Sequence, residues 1–302
     1  MELWLIYAVG AAVFAALTTT LAKIGLKNVN SHLATAIRAM VVLVFAWIIV
    51  FMTNAQSGIW QIEGRTWVFL ILSGLSTGGA WLCFLRALQL GDVNRVVPID
   101  KSSTILTMLL AFILLREPFG VISIVGMTLM GLGTWLMLDL NKDMTAKDKA
   151  KPPPNSAKAP TKLGWLFFAV MASVFASLVA IFGRVGVQEM DANLWTAIRT
   201  AVVVPVSWLV VFLTGKQKEV KTVSRKSWIF LILSGMATGG SWLFFYHALQ
   251  IGNASFVVPI DKLSIVLTMG FARLFLGERF NVRTLIGLAL LTIGTLLPVF
   301  LL

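Results

Sequence analysis

Long apolar segments separated by short polar connections run along the whole chain of 302 residues. A helix that crosses a bilayer needs about 20 mostly apolar residues, and uncharged stretches such as 3–22 and 120–138 meet this requirement. The pattern predicts an all-α integral membrane protein with ten transmembrane helices. These helices are expected near residues 3–24, 32–52, 66–89, 95–115, 119–139, 163–184, 193–213, 227–250, 256–276 and 281–302.

The two halves of the chain are copies of each other. Residues 3–139 align with residues 164–300 at a constant offset of 161, without a gap. Within this alignment, 23 of 36 positions are identical between residues 66–101 and 227–262. The chain therefore contains two five-helix repeats. Their predicted limits are residues 1–141 and 163–302, and residues 142–162 form a linker rich in proline and lysine.

The number of helices in each copy determines how the copies are oriented. Because five is odd, the second copy enters the membrane from the opposite side, which predicts two inverted-topology repeats around a central cavity. Connections on the side opposite the termini hold 16 Lys or Arg residues, whereas the terminal side holds Arg65, Arg116 and Arg184. By the positive-inside rule, the linker is cytoplasmic and both termini lie outside, in a cell membrane.

The composition favours a lipid environment and argues against several other functions. The chain is 58% hydrophobic and 13% charged, about half the charged fraction of soluble domains. Its net charge of +12 lies in the short connections and not on a basic face with interleaved aromatics, so we expect no nucleic-acid partner. The single cysteine, Cys83, lies in an apolar segment, and no His, Cys, Asp or Glu cluster has ligand or triad spacing. We therefore expect no metal, no cofactor and no enzymatic activity.

Three motifs recur in both copies. They are Gly-Gly-x-Trp at 78–81 and 239–242, Pro-Ile-Asp-Lys at 98–101 and 259–262, and a glutamate after the fourth helix, Glu117 and Glu278. In these residues the chain resembles the drug/metabolite transporter superfamily, and specifically its EamA-type members with two five-helix repeats. The resemblance covers nearly all of the chain outside the linker and implies a transporter without indicating its substrate. Because the two copies are so similar, each copy also resembles the short EamA proteins that have a single repeat.

Few ionisable side chains lie within the predicted helices, and each is a candidate for function because a charge in a membrane is costly unless it faces a cavity or partner. Arg38 and Arg199 lie at equivalent positions, about two turns into the second helix of each copy. We expect them to bind a substrate carboxylate. The equivalent pairs near the start of the fourth helix are either gating and orienting groups or buried ion pairs that fix helix packing. They are Asp100 with Lys101 and Asp261 with Lys262.

Aromatic residues on the third helix of each copy are a second set of candidates. Trp81, Trp242 and Tyr246 either line a cavity and bind substrate or pack against neighbouring helices. Both tryptophans follow a glycine pair, and the spacing of Gly74 with Gly78 repeats in the second copy. Such spacing predicts a close approach between helices.

One ionisable position differs between the copies. His247 occupies the position of Arg86, and a histidine changes charge near neutral pH. His247 is therefore a candidate for proton coupling, together with Asp100 and Asp261. The alternative is a histidine that is merely hydrogen-bonded.

Basic residues outnumber acidic residues inside the predicted helices, which favours an anionic or zwitterionic substrate. We expect a secondary transporter that moves a small metabolite such as an amino acid by alternating access, and the resemblance implies export. The expected partners are the substrate, protons as a coupling ion and the lipid bilayer. The protein is expected to act as a monomer, with a dimer as the alternative.

Two other functions stay open at this point. One is a carrier for a quaternary amine or other organic cation, which needs an aromatic cage such as Trp81, Trp242 and Tyr246 would form. The other is a flippase for a lipid-linked headgroup, which needs a lateral opening between helices lined by basic residues.

Overall fold

The computed structural model describes residues 3–116, 120–138, 164–186, 190–251, 260 and 263–301, and the predicted linker lies outside these ranges. The described residues contain helices and no strand, which confirms the all-α prediction. The helices are α1 (Leu3–Gly25), α2 (Ser31–Met52), α3 (Gly64–Leu90), α4 (Val93–Lys101), α5 (Ser103–Leu115), α6 (Val121–Met137), α7 (Gly164–Gly186), α8 (Ala192–Leu213), α9 (Arg225–Ile251), α10 (Ser264–Leu276) and α11 (Val282–Leu301).

Most of these helices have the length and composition of membrane spans. Seven described segments are long and apolar enough to cross a bilayer: α1, α2, α3, α4 with α5, α7, α8 and α9. Three shorter apolar helices, α6, α10 and α11, follow the same pattern. The predicted limits of α1, α2 and α8 each agree with the structure to within one residue.

The fourth predicted helix, residues 95–115, is two helices in the structure. α4 ends at Lys101 and α5 begins at Ser103. Pro98 provides no N–H for the helical ladder. In addition, the Ser102 hydroxyl donates to the Ile99 carbonyl at 2.7 Å, and the Thr104 hydroxyl donates to the Lys101 carbonyl at 3.0 Å. Such side-chain bonds compete with regular helix geometry, so the break falls directly after Asp100 and Lys101.

Two short 3-10 helices were not predicted. Ala55–Gln61 follows α2 and Lys216–Thr222 follows α8, at equivalent positions of the two copies. Each begins after a residue with positive φ, Asn54 at 55° and Gly215 at 67°. The first segment has no charged residue, whereas the second contains three lysines. The copies therefore share this element and differ in its charge.

The two copies interlock instead of packing as separate halves. α1, the first helix of the first copy, packs mainly on α9, the third helix of the second copy. In the same way, α7, the first helix of the second copy, packs on α3, the third helix of the first copy. α2 meets α8, and α6 meets α11. Side chains strengthen the first of these contacts, because the Ser241 hydroxyl of α9 donates to the Ala11 carbonyl of α1 at 3.0 Å. Each third helix is thus held mainly by the other copy.

Glycines permit the closest of these contacts. A Cβ on Gly74 would lie 2.6 Å from Val202, and a Cβ on Gly235 would lie 2.8 Å from Val41, the equivalent residue of the other copy. These distances are too short for a side chain, so α3 packs on α8 and α9 packs on α2 through small residues. The close approach expected from the glycine spacing is therefore present in both copies.

Candidate functional site: a central cavity with two arginine–tryptophan pairs

A cavity of about 300 Å³ lies between the two copies. Its size is at the lower end of the range for small-molecule sites. Equivalent residues of the two copies face it, on the second and third helix of each copy. These are Arg38 and Arg199, Thr77 and Thr238, and Trp81 and Trp242.

The two tryptophans are stacked across the cavity. The ring centroids of Trp81 and Trp242 are 6.4 Å apart, and the ring planes differ by 28°. One turn before each tryptophan, on the same helix face, stands a threonine that also lines the cavity, Thr77 or Thr238. The cavity therefore has a flat aromatic surface next to hydroxyl groups.

An arginine of the same copy lies over each tryptophan ring. The Arg38 Cζ atom lies 4.9 Å from the Trp81 ring centroid, and the Arg199 Cζ atom lies 5.8 Å from the Trp242 ring centroid. Guanidinium groups at such distances interact favourably with the ring face. The two ring faces are thus engaged by cations of the protein itself.

Arg38 is buried, with 5% of its surface exposed. Its Nη2 donates to the Thr238 hydroxyl oxygen at 2.9 Å, and this hydroxyl donates to the Ser234 carbonyl at 3.0 Å. The Nε atom of Arg38 is buried without a hydrogen-bond partner among the described residues. A guanidinium has five N–H donors, so Arg38, which lines the cavity, retains donors beyond the one bound to Thr238.

Asp100 and Lys101 also line the cavity, from the last residues of α4. Both side chains are half-buried. With the two arginines, the described ionisable groups of the cavity wall are three cations and one carboxylate. This excess of positive charge attracts anions and opposes cations.

The other predicted site residues do not lie in the described wall of the cavity. His247 is exposed near the end of α9, and its ring contacts Tyr7 edge-on with centroids 4.8 Å apart. Asp261, Lys262 and the side chain of Tyr246 lie outside the described residues. His247 is not among the described residues that line the cavity, and proton coupling through it stays a prediction.

The sequence interpretation missed the hydroxyl groups of the cavity, of which Thr238 is the clearest example. Its position four residues before Trp242 was a usable signal, because residues four apart share a helix face. The Thr18 hydroxyl lies 3.3 Å from that of Thr238 and extends the polar surface to α1. Of these two hydroxyls, that of Thr238 accepts a hydrogen bond from the Arg38 guanidinium.

Replacing Thr238 with valine is expected to lower the free energy of unfolding by about 1–3 kcal/mol, because the buried Arg38 guanidinium loses its acceptor. Thermal unfolding of the detergent-purified protein measures this effect. Thr128→Val is the matched control, because this exposed threonine donates to the Ile124 carbonyl of its own helix. Equal melting temperatures for the two variants would contradict a structural role of the Thr238 hydroxyl.

Apolar helices of membrane-spanning length around a central cavity with arginines and hydroxyl groups in its wall are typical of a multi-pass membrane transporter. The model of the EamA-like transporter family matches residues 2–139 and 163–300. This chain therefore belongs to the EamA-like transporter family and contains two repeats of its unit.

Relatives of this chain include proteins of half its length. A protein of a Sinorhizobium species described as an uncharacterized transporter in the cobO 3′ region is 42% identical over 133 residues, which are 44% of this chain and 94% of that protein. The uncharacterized protein MJ1333.1 of Methanocaldococcus jannaschii is 25% identical over 132 residues, 44% of this chain and 93% of its own length. A protein of known crystal structure shares the fold, with a TM-score of 0.67 and 14% identity, over 97% of this chain and 95% of the other.

Proposed function

We propose that this transporter is a secondary carrier for a small zwitterionic or anionic metabolite that bears a carboxylate, such as an amino acid. The observation that carries the proposal is the pair of cavity arginines, Arg38 and Arg199, each held over a tryptophan. Arginine is well suited to carboxylates, because its planar fork of donors matches their two oxygens. The stacked tryptophans provide an apolar surface for the remainder of the molecule.

The same geometry argues against the amine carrier. A quaternary amine needs aromatic faces that are free to surround it, whereas here a guanidinium lies over each tryptophan ring. A positively charged substrate between Arg38 and Arg199 would also be repelled by both arginines. The anionic or zwitterionic class is therefore the better supported one.

Transport is proposed to proceed by alternating access. The proposed ten membrane-spanning segments are the seven long spans together with α6, α10 and α11. They are proposed to form two inverted five-helix repeats, which the linker at residues 142–162 connects. We propose the monomer as the functional unit, because both copies contribute residues to one cavity. Export is the proposed direction.

The proposed topology has a direct test. In a Cys83→Ser background, a cysteine at Ser57 in the first 3-10 helix is expected to react with a membrane-impermeant maleimide on intact cells. A cysteine at Ser156 in the linker is expected to react only after the membrane is opened, because the linker is proposed to be cytoplasmic. The reverse pattern would place the termini inside.

The substrate class is tested with ligands that differ in a single group. Each amino acid is compared with its amide and with the amine that remains after loss of the carboxylate, by thermal stabilisation of the purified transporter. At least one amino acid or small organic acid is expected to raise the melting temperature while its amine partner does not, because only the former pairs with the arginines. Stabilisation by amines alone would overturn the proposal and favour the organic-cation carrier.

A further inference from the structure

Glu278 joins the two copies at a point away from the described wall of the cavity. It lies in the loop between α10 and α11, and its carboxylate reaches the first residues of α4 in the other copy. One oxygen, Oε1, accepts the Val93 N–H at 2.8 Å, and Oε2 accepts the Asn94 N–H at 2.8 Å. The first N–H groups of a helix have no partner within the helix, and a negative charge there also interacts favourably with the helix dipole.

This contact takes the place of a local cap. Asp92 is the N-cap residue of α4, yet its side chain makes no capping hydrogen bond and instead lies 3.7 Å from the Arg95 Nε atom. Asp and Asn are among the preferred N-cap residues, so Asp92 is of a type that is able to cap α4 from its own sequence. The start of α4 is capped instead by a residue 185 positions later in the chain.

The position of Glu278 is fixed by the end of α10. Gly277 has a φ of +69°, a left-handed conformation that glycine adopts without a Cβ penalty. The Glu278 N–H then donates to the Ala272 carbonyl at 3.2 Å. The carboxylate is therefore attached to a defined helix end and not to a freely moving loop.

Lys23 extends the contact to two more helices. Its Nζ atom, at the end of α1, donates to the Leu88 carbonyl at 2.5 Å and to the Gly91 carbonyl at the end of α3. The ends of α1 and α3, the start of α4 and the α10–α11 loop thus converge at one end of the bundle. The charged groups that act on Glu278 there are Lys23 and Asp92, and Asp92 in turn contacts Arg95.

Burial raises the pKa of the Glu278 carboxyl above its ordinary value, and the N–H groups of Asn94 and Val93 oppose this rise. The nearby Asp92 also raises the pKa, whereas Lys23 lowers it. Keeping a charged carboxylate in this position therefore has a desolvation cost that two hydrogen bonds offset in part.

We propose that Glu278 is a gate residue that holds the linker-side end of the central cavity closed by clamping α4 to the α10–α11 loop. α4 has only nine residues and is separated from α5 at Ser102, so it is able to move as a short rigid unit. Its other end carries Asp100 and Lys101, which line the cavity. Release of the clamp therefore changes both access to the cavity and its wall. This inference rests on the alternating-access part of the proposed function.

The test measures access to the cavity and needs no substrate. Thr19 lines the cavity on α1, one turn before Lys23, and serves as the reporter position. In a Cys83→Ser, Thr19→Cys background, the rate of labelling by a membrane-impermeant maleimide is measured from the linker side in inside-out vesicles. Glu278→Ala is expected to raise this rate about tenfold, because two buried N–H groups lose their acceptor. Glu278→Gln keeps one acceptor oxygen and is expected to give an intermediate rate, which serves as a second measurement if the alanine variant fails to fold.

The matched control is Glu63→Ala. Glu63 is the N-cap residue of α3, is exposed and makes no capping hydrogen bond, so its replacement is expected to leave the labelling rate unchanged. Linker-side labelling of both Glu278 variants at the parent rate would overturn the gate assignment.

Protection of the Thr19→Cys reporter by an amino acid or organic acid is recorded in the same vesicles. This protection reports on the proposed substrate class independently of the gate, so the failure of one inference is distinguishable from the failure of the other.

Discussion

Replacing Arg38 with methionine is expected to lower the affinity for a carboxylate ligand at least about 100-fold, or roughly 3 kcal/mol. Arg38 is buried at the cavity wall, and its Nε has no hydrogen-bond partner among the described residues. A carboxylate in the cavity therefore gains a charge-assisted bond in a partly dehydrated site, where such bonds are strong. Ligand titrations monitored by thermal stabilisation measure the loss, and Arg199→Met is expected to behave in the same way.

The folding stability of the Arg38→Met variant separates a binding role from a packing role. Removing a buried cation relieves its desolvation cost, so we expect the melting temperature without ligand to be unchanged or higher. Arg283→Met is the control, because Arg283 lies 5.1 Å from the Trp135 ring but is exposed away from the cavity. A strongly destabilised Arg38→Met variant with unaltered ligand affinity would assign Arg38 to helix packing alone.

Replacing Gly133 with alanine is expected to lower the free energy of unfolding by about 3 kcal/mol. At this position α6 and α11 meet backbone to backbone. A Cβ on Gly133 would lie 2.5 Å from the Leu291 nitrogen and 2.6 Å from the Gly287 carbonyl oxygen. Backbone atoms have no alternative rotamer, so the helices must separate to accommodate a methyl group.

Gly131→Ala on the same helix is the matched control for Gly133→Ala. The nearest atom to a Cβ at Gly131 is the Ile105 Cδ1 at 4.0 Å, so the added methyl group meets only an ordinary contact. Because alanine also favours helix more than glycine, this control is expected to be neutral or slightly stabilising. Thermal unfolding in detergent measures both variants, and equal melting temperatures would contradict the close packing of α6 on α11.

The sequence predicts the helices well because membrane spans follow a strong physical rule. A bilayer requires apolar stretches of a given length, and α1, α2 and α8 begin and end within one residue of their predicted limits. The break at Ser102 and the two 3-10 helices are harder to predict. They depend on local hydroxyl bonds and on single residues with positive φ, which do not alter the apolar pattern.

The charged residues of the cavity were predictable from the sequence, because a charge inside an apolar helix is costly and therefore stands out. Arg38, Arg199, Asp100 and Lys101 stood out in apolar helices, and the structure places them along one cavity with Trp81 and Trp242. Thr238 did not stand out, because threonine hydroxyls in any helix are able to bond a carbonyl of the preceding turn. The contact of Glu278 with α4 depends on how the two copies meet in space, and no periodicity within one copy encodes that relation.

In the proposed function, the cavity between Arg38 and Arg199 binds a carboxylate-bearing substrate during its passage across the membrane. Counterflow in proteoliposomes measures this transport, with a panel of radiolabelled amino acids, small organic acids and amines. We predict that at least one carboxylate-bearing compound accumulates with the parent protein and that Arg38→Met and Arg199→Met each abolish this accumulation, while Arg283→Met does not. Accumulation of amines only, or accumulation of a carboxylate that persists in both cavity variants, would contradict carboxylate transport through this cavity.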